Sequence, residues 1–173
     1  MTQAFYILMA LGVGITSAFQ VSMLAGLGRF FRGSLEATLV SMLASVIGAL
    51  AALNIQILRG EPPNLPSPFN NQLFMGSLLI AAIAGLLVSM RGVTWYYAFT
   101  GLAGFFYVVA ASYLGQKIGI ALFVASVTAG TLIGSVVLDH YGAFGNEVRQ
   151  VTLVRAVGVL ALVLGVVLVR FDN

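Results

Sequence analysis

The feature that most limits this chain is the length of its uncharged runs. No charged side chain occurs between Met1 and Gly28, and none occurs in Ala37–Leu58, Pro62–Met90, Gly92–Gln116 or Ile118–Leu138. A bilayer core about 30 Å thick is crossed by roughly 20 helical residues. Each of these runs is long enough, and Ala156–Val169 extends back through Val151–Val154 past the single charge of Arg155. The spacing predicts helices near Phe5–Leu27, Leu35–Leu58, Leu73–Met90, Trp95–Leu114, Ile118–Leu138 and Val151–Val169. Strands of a membrane barrel need only about ten alternating residues each, so runs of this length favour helices. The expected fold class is therefore an all-α membrane protein. It would be a polytopic bundle of about six transmembrane helices, one domain over residues 1–173, with a Pro-rich extramembrane loop over 60–72.

Composition narrows the functional classes. Of the 173 residues, 60% are hydrophobic and 8% charged, with eight basic and five acidic side chains. So little charge would not keep a compact particle of this size in solution, and so much apolar surface excludes a disordered chain. With no cysteine, a disulfide scaffold is excluded as well. The cations are scattered among the loops rather than gathered in a stripe, so nucleic acid is not an expected partner; the lipid bilayer is. The N-terminal run lacks a basic start, is too long and has no small-residue cleavage pattern, so it is expected to be retained. With six spans, Arg29, Arg32, Arg91, Arg149 and Arg155 fall on one side and Arg59, Lys117 and Arg170 on the other. That bias is weak, and without a crossing at Leu73–Met90 it becomes even, a balance that would allow insertion in both orientations.

All four prolines lie between Gly60 and Asn71, which makes this stretch an extended linker that continues neither flanking helix. Trp95-Tyr96-Tyr97 suits an aromatic belt at the lipid headgroups. Ser34 before Glu36 suits a helix start, with a capping hydroxyl and a carboxylate favoured by the dipole. Small residues recur at four-residue spacing as Ala18/Ser22/Gly26, Ala44/Gly48/Ala52, Ala81/Gly85/Ser89 and Ser126/Gly130/Gly134, with Gly101 and Gly104 beside them. Such stripes let helix backbones approach closely in lipid. Gly26, Gly48, Gly85, Gly101, Gly104, Gly130 and Gly134 are therefore expected at helix contacts, with a surplus face open to a second copy.

Three stretches carry a family resemblance. Gln20 through Arg29 is similar to Q-x-x-x-N-A-R-L-G-R, and Trp95 through Gly104 resembles W-W-x-x-x-G-G-x-x-G. Gly119 through Gly142 resembles G-A-x-x-x-x-A-x-V-x-A-G-Q-L-x-x-S-x-x-L-D-H-F-G in register, followed by Arg155-Ala156-Val157-Gly158 for R-x-x-G. Together they resemble the YdcZ-type small inner-membrane branch of the drug/metabolite transporter superfamily, over roughly residues 1–60 and 93–170. The resemblance implies a five-helix protein of a bacterial inner membrane. It would work as an antiparallel dimer with a shared pathway, and would export an unassigned small molecule linked to protons. This chain has Leu24, Gly26 and Thr131 where the pattern has Asn, Arg and Gln, and Leu73–Met90 has no counterpart in the family pattern and reads as one extra helix beside five that match. Lost intramembrane polar groups and an added apolar segment also fit a second class. This is a non-transporting accessory subunit that associates with another membrane protein.

Candidate site residues follow from polarity inside apolar runs, where polar groups are costly and mark pathways. Gln20, whose amide donates and accepts, is the leading pathway residue, with Ser126, Thr128 and Thr131 as companions. Such hydroxyls also bond their own helix carbonyls. Asp139 beside His140, the one histidine, could relay protons, with Arg155 pairing to Asp139 or Glu147 or reaching for the interface. A single histidine and no cysteine leave no metal-ligand set or nucleophile–base arrangement, so no metal, cofactor or enzymatic reaction is expected. No phosphate-binding G-x-x-x-x-G-K-[ST] motif is present either.

Overall fold

A computed structural model describes residues 2–61 and 63–171, with side chains over 3–61 and 63–168. The Arg170 charge counted above falls outside the described side chains. The described residues form six α-helices: α1 (Thr2–Phe31), α2 (Ser34–Leu58), α3 (Gln72–Ser89), α4 (Thr100–Ile118), α5 (Ile120–Tyr141) and α6 (Leu153–Phe171). Five of the helical segments have the length and apolar composition to cross a membrane, and Leu153–Leu168 of α6 is a shorter apolar helix. The protein is an all-α membrane protein, as the uncharged runs required.

The connections follow local chemistry. At the α1–α2 junction Arg32 takes a left-handed φ of 56°, and the Gly33 N–H reaches back to the Gly28 carbonyl at 3.1 Å. This is the 6→1 bond of a Schellman ending. Helix α2 does begin at Ser34, but Ser34 is its first helical residue rather than its cap. Gly33 holds the cap position with no side-chain bond. The Glu36 carboxylate instead folds back over Gly33, where the helix dipole favours it. At α3 the Asn71 side chain does cap, accepting from the Leu73 N–H at 2.8 Å. Trp95–Phe99 is a 3₁₀ turn rather than the first turn of α4, which starts at Thr100. One residue, Gly119 at φ 81°, separates α4 from α5.

The residues gather into two compact units. One comprises α1 up to Gly26 with everything from Phe106 onward, and the other runs from Leu27 to Phe105. In the first, Ile7, Ala10, Leu114, Ile118, Leu122, Phe123, Val127, Ala129 and Val166 form the core. Helices α1 and α5 touch backbone to backbone there. A Cβ added to Gly14 would overlap the Val127 carbonyl oxygen and lie 2.8 Å from the Thr131 nitrogen. A Cβ on Gly130 would overlap the Leu11 carbonyl, and one on Gly134 would sit 2.8 Å from the Ala18 Cβ. The stripe on α1 is thus Ala10, Gly14 and Ala18, two four-residue steps earlier than the repeat Ala18/Ser22/Gly26 suggests. Ser22 meets the α5–α6 loop instead, and Gly26 is buried.

In the second unit α2 packs along α3 and against the start of α4. A Cβ on Gly101 would overlap the Ser41 carbonyl and lie 2.7 Å from the Ala44 Cβ, and Gly48 faces the Phe105 ring and Leu102. The Ser45 hydroxyl donates across this contact to the Gly101 carbonyl at 2.7 Å. Gly85 makes no close approach, because a Cβ there would meet only the Leu43 methyls at 3.9 Å. Gly104 is half-buried.

Where backbone occupies the space a side chain needs, nothing can swing aside. Gly130→Leu and Gly101→Leu are therefore expected to destabilise the protein by about 3 kcal/mol or more. Gly12→Ala and Gly115→Ala enter open space and should be neutral or slightly stabilising. Thermal unfolding of the four variants in mild detergent checks this, and a Gly130→Leu protein as stable as the parent would refute the α1–α5 contact.

Candidate functional site

The site is built where α5 turns into α6. Gly142 ends α5 in a left-handed conformation, φ 59° and ψ 39°, and its N–H bonds the Asp139 carbonyl. The Arg149 N–H bonds the same carbonyl at 2.8 Å. The Asn146 side-chain nitrogen donates to the Ser22 hydroxyl at 2.7 Å, to the Ser22 carbonyl at 3.1 Å and to the Ala143 carbonyl at 2.8 Å. The loop is thereby pinned to α1, and α6 returns along α5. Between α5 and α6 lies an open cleft of about 330 Å³, at the small end of ligand-sized pockets. Leu132, Val136, Val159 and Leu162 form apolar walls, with Asp139 and Arg155 as the charged lining. Gly158 gives the cleft its width, since a Cβ there would meet nothing within 4 Å.

The charged lining is unusual in its placement. Asp139 lies in the last turn of α5, where the helix dipole disfavours an anion, and Arg155 lies in the first turn of α6, where it disfavours a cation. Each placement costs about 0.3–1 kcal/mol. The two side chains, 41% and 34% exposed, pair at 3.5 Å between Oδ2 and Nη1. A part-exposed pair contributes only about 0.2–1 kcal/mol, which does no more than offset the dipole cost. At 3.5 Å the contact is long for a hydrogen bond, and the buried Nη1 has no hydrogen-bond partner among the described residues. The pair adds no appreciable stability, and it leaves a buried guanidinium nitrogen without a hydrogen bond.

The other sequence candidates are dispersed. Ser126 is fully buried and its hydroxyl donates to the Leu122 carbonyl at 2.7 Å, while Thr131 donates to the Val127 carbonyl at 2.9 Å. Both hydroxyls are thus taken up by their own helix. Thr128 is exposed. Gln20 is half-buried and its amide has no hydrogen-bond partner among the described residues. Leu11, Ile15 and Ala18 carry the α5 contact, and Gln20 is two residues beyond Ala18, about 200° around the helix. The fold therefore does not bring Gln20 and Thr131 together. His140 is exposed and stacks edge-on to Tyr141, with ring centroids 5.1 Å apart. Of the two acids considered for Arg155, Asp139 is its partner; Glu147 pairs with Arg149 at 3.5 Å on the exposed loop. A second, wholly apolar pocket of about 160 Å³ lies between α1 and α5, lined by Ile15, Phe19, Ile133, Gly134, Val137 and Leu138.

Ser135 and Gly158 fall on motif positions of the sequence but were not singled out there as site residues. Both signals were available: Ser135 precedes Asp139 by four residues and Gly158 follows Arg155 by three, so each shares a helix face with a charge. Among the described residues no group of three His, Asp or Glu side chains could hold a metal ion.

The family model described as "Putative inner membrane exporter, YdcZ" matches residues 73–168, more than half of the chain. The match runs from the start of α3 into α6 and includes the whole cleft. It also contains Leu73–Met90, which the three motifs left without a counterpart, whereas residues 1–72 lie outside it. No curated protein and no solved structure matches the chain. By this match and its apolar helices, the chain is an integral inner-membrane protein that belongs to the YdcZ exporter family.

Proposed function

We propose that this protein exports a small molecule across the inner membrane as a homodimer, and that the α5–α6 cleft holds the transported molecule. The observation that carries this reading is the Asp139–Arg155 pair. Two charges stand against their own helix dipoles in an apolar cleft within the family-matched residues, without benefit to stability. A rule of local structure broken with no compensating gain marks a functional position. The cleft is lined by two helices and is open on one side, which leaves a wall for a second copy to supply. A pair so weak can also be parted cheaply, as a site that alternately loads and releases its cargo requires. In this reading Asp139 and Arg155 form the polar end of the site, and Gln20, Thr131 and His140 lie outside it.

The stability and transport consequences separate. Asp139→Asn, Arg155→Gln and the double variant should each unfold within about 1 kcal/mol of the parent in mild detergent. A loss of several kcal/mol for either single variant would make the pair a structural device instead.

Transport is read by comparing the medium of cells overproducing the parent or Arg155→Gln at equal membrane levels, using untargeted mass spectrometry. At least one compound should accumulate outside cells making the parent and fall on the order of tenfold with Arg155→Gln, the loss of one hydrogen bond to a charged group. No such compound, together with recovery of the parent in a larger assembly of other membrane proteins, would overturn the exporter in favour of an accessory subunit.

A further inference from the structure

Resting on that reading of the cleft, we infer that its cargo is a net-neutral amphiphile, with a hydrogen-bond acceptor and a donor side by side on an aliphatic body. The cleft holds one cation and one anion, Arg155 and Asp139, whose charges cancel. A ligand with net charge would stand uncompensated against walls of Leu132, Val136, Val159 and Leu162, and a charge buried without its balance is strongly disfavoured. The polar groups specify the head more closely. The Arg155 guanidinium lines the cleft, is about one-third exposed (34%) and is a donor only, so it calls for an acceptor such as a carbonyl or hydroxyl oxygen. The Asp139 carboxylate, 3.5 Å away, accepts only, so it calls for an N–H or O–H. The Ser135 hydroxyl is spent on the Leu132 carbonyl at 3.0 Å and adds no competing demand. A primary amide or an alcohol meets both requirements in one head. A carboxylate meets Arg155 but is repelled by Asp139, and an ammonium meets Asp139 but is repelled by Arg155. The body lies along the walls over Gly158, where the helix leaves open space.

The test is photolabelling of the full chain in phosphatidylcholine vesicles with octanamide carrying a mid-chain diazirine. Labelled residues are located by mass spectrometry, and octanamide, octanoate and octylammonium serve as competitors. Labelling should concentrate on Leu132–Asp139 and Arg155–Leu162, and octanamide should compete roughly tenfold better than either charged analogue. Gly158→Phe, which fills the cleft from a helical position with free space, should remove the labelling. Arg155→Met, which leaves the Asp139 carboxylate alone in the cleft, should keep the labelling but make octylammonium the best of the three competitors and octanoate the worst. Equal competition by all three against the parent would show a groove that takes any acyl chain, and would overturn the inference. So would labelling that survives Gly158→Phe. If the three compete equally while an Arg155-dependent compound is still exported, neutral selection falls and the exporter stands. If the amide preference holds but no compound is exported, the inference stands and the exporter falls.

Discussion

Every other feature of this protein depends on the lack of water in the hydrocarbon layer its helices cross. Without water, each backbone N–H and carbonyl must be satisfied within its own segment, so the uncharged runs have to be helical. The same constraint governs the side chains. Ser17, Ser126 and Thr131 return their hydroxyls to carbonyls three or four residues back, so polar residues within spans are spent locally. With nothing hydrophobic to drive apolar helices together in lipid, contact depends on close approach. Gly14, Gly130 and Gly134 provide it between α1 and α5, and Gly101 and Gly48 provide it against α2 and α4.

Asp139 and Arg155 depart from that economy. Where Ser17, Ser126 and Thr131 are turned to their own backbone, these two meet across a cleft, at the helix ends that least favour their charges. The loop that sets them there is held firmly. Gly142 turns the chain, the Asp139 carbonyl receives two N–H groups, and Asn146 ties the turn to Ser22. Backbone held tightly beneath a loosely held charge pair is an arrangement suited to a binding site: the frame is fixed while the side chains remain free to exchange partners.

The helices and their class were legible in the sequence because charge is so sparse that its absence marks each span. Their packing was legible only in part. Spacing of small residues identified Gly130 and Gly101, but on α1 it named Ala18/Ser22/Gly26, whereas the contact lies earlier along the same face at Ala10/Gly14/Ala18. At Gly85 the same spacing produced no close contact, because a stripe permits approach without requiring it. Within the site, Asp139 and Arg155 were legible as charges beside apolar runs. Their pairing was legible as one of two alternatives for Arg155, but the cleft itself was not, since it depends on how α6 returns beside α5 after an eleven-residue connection. Gln20 stood out by polarity alone, and polarity does not disclose which side of a helix meets a neighbour.

The most direct test of the central claim, that the α5–α6 cleft is a passage for solute, uses the absence of cysteine from the chain. A single Ser135→Cys inside the cleft and a single Glu147→Cys on the exposed loop can each be labelled in vesicles by a membrane-impermeant thiol reagent from either side. The loop cysteine reports what fraction of molecules faces each way. If the cleft opens alternately, Ser135→Cys will be labelled nearly completely from both sides, beyond the fraction that Glu147→Cys shows on each. If Ser135→Cys follows Glu147→Cys side for side, the cleft opens to one face only, and the account of this protein as an exporter working through it is wrong.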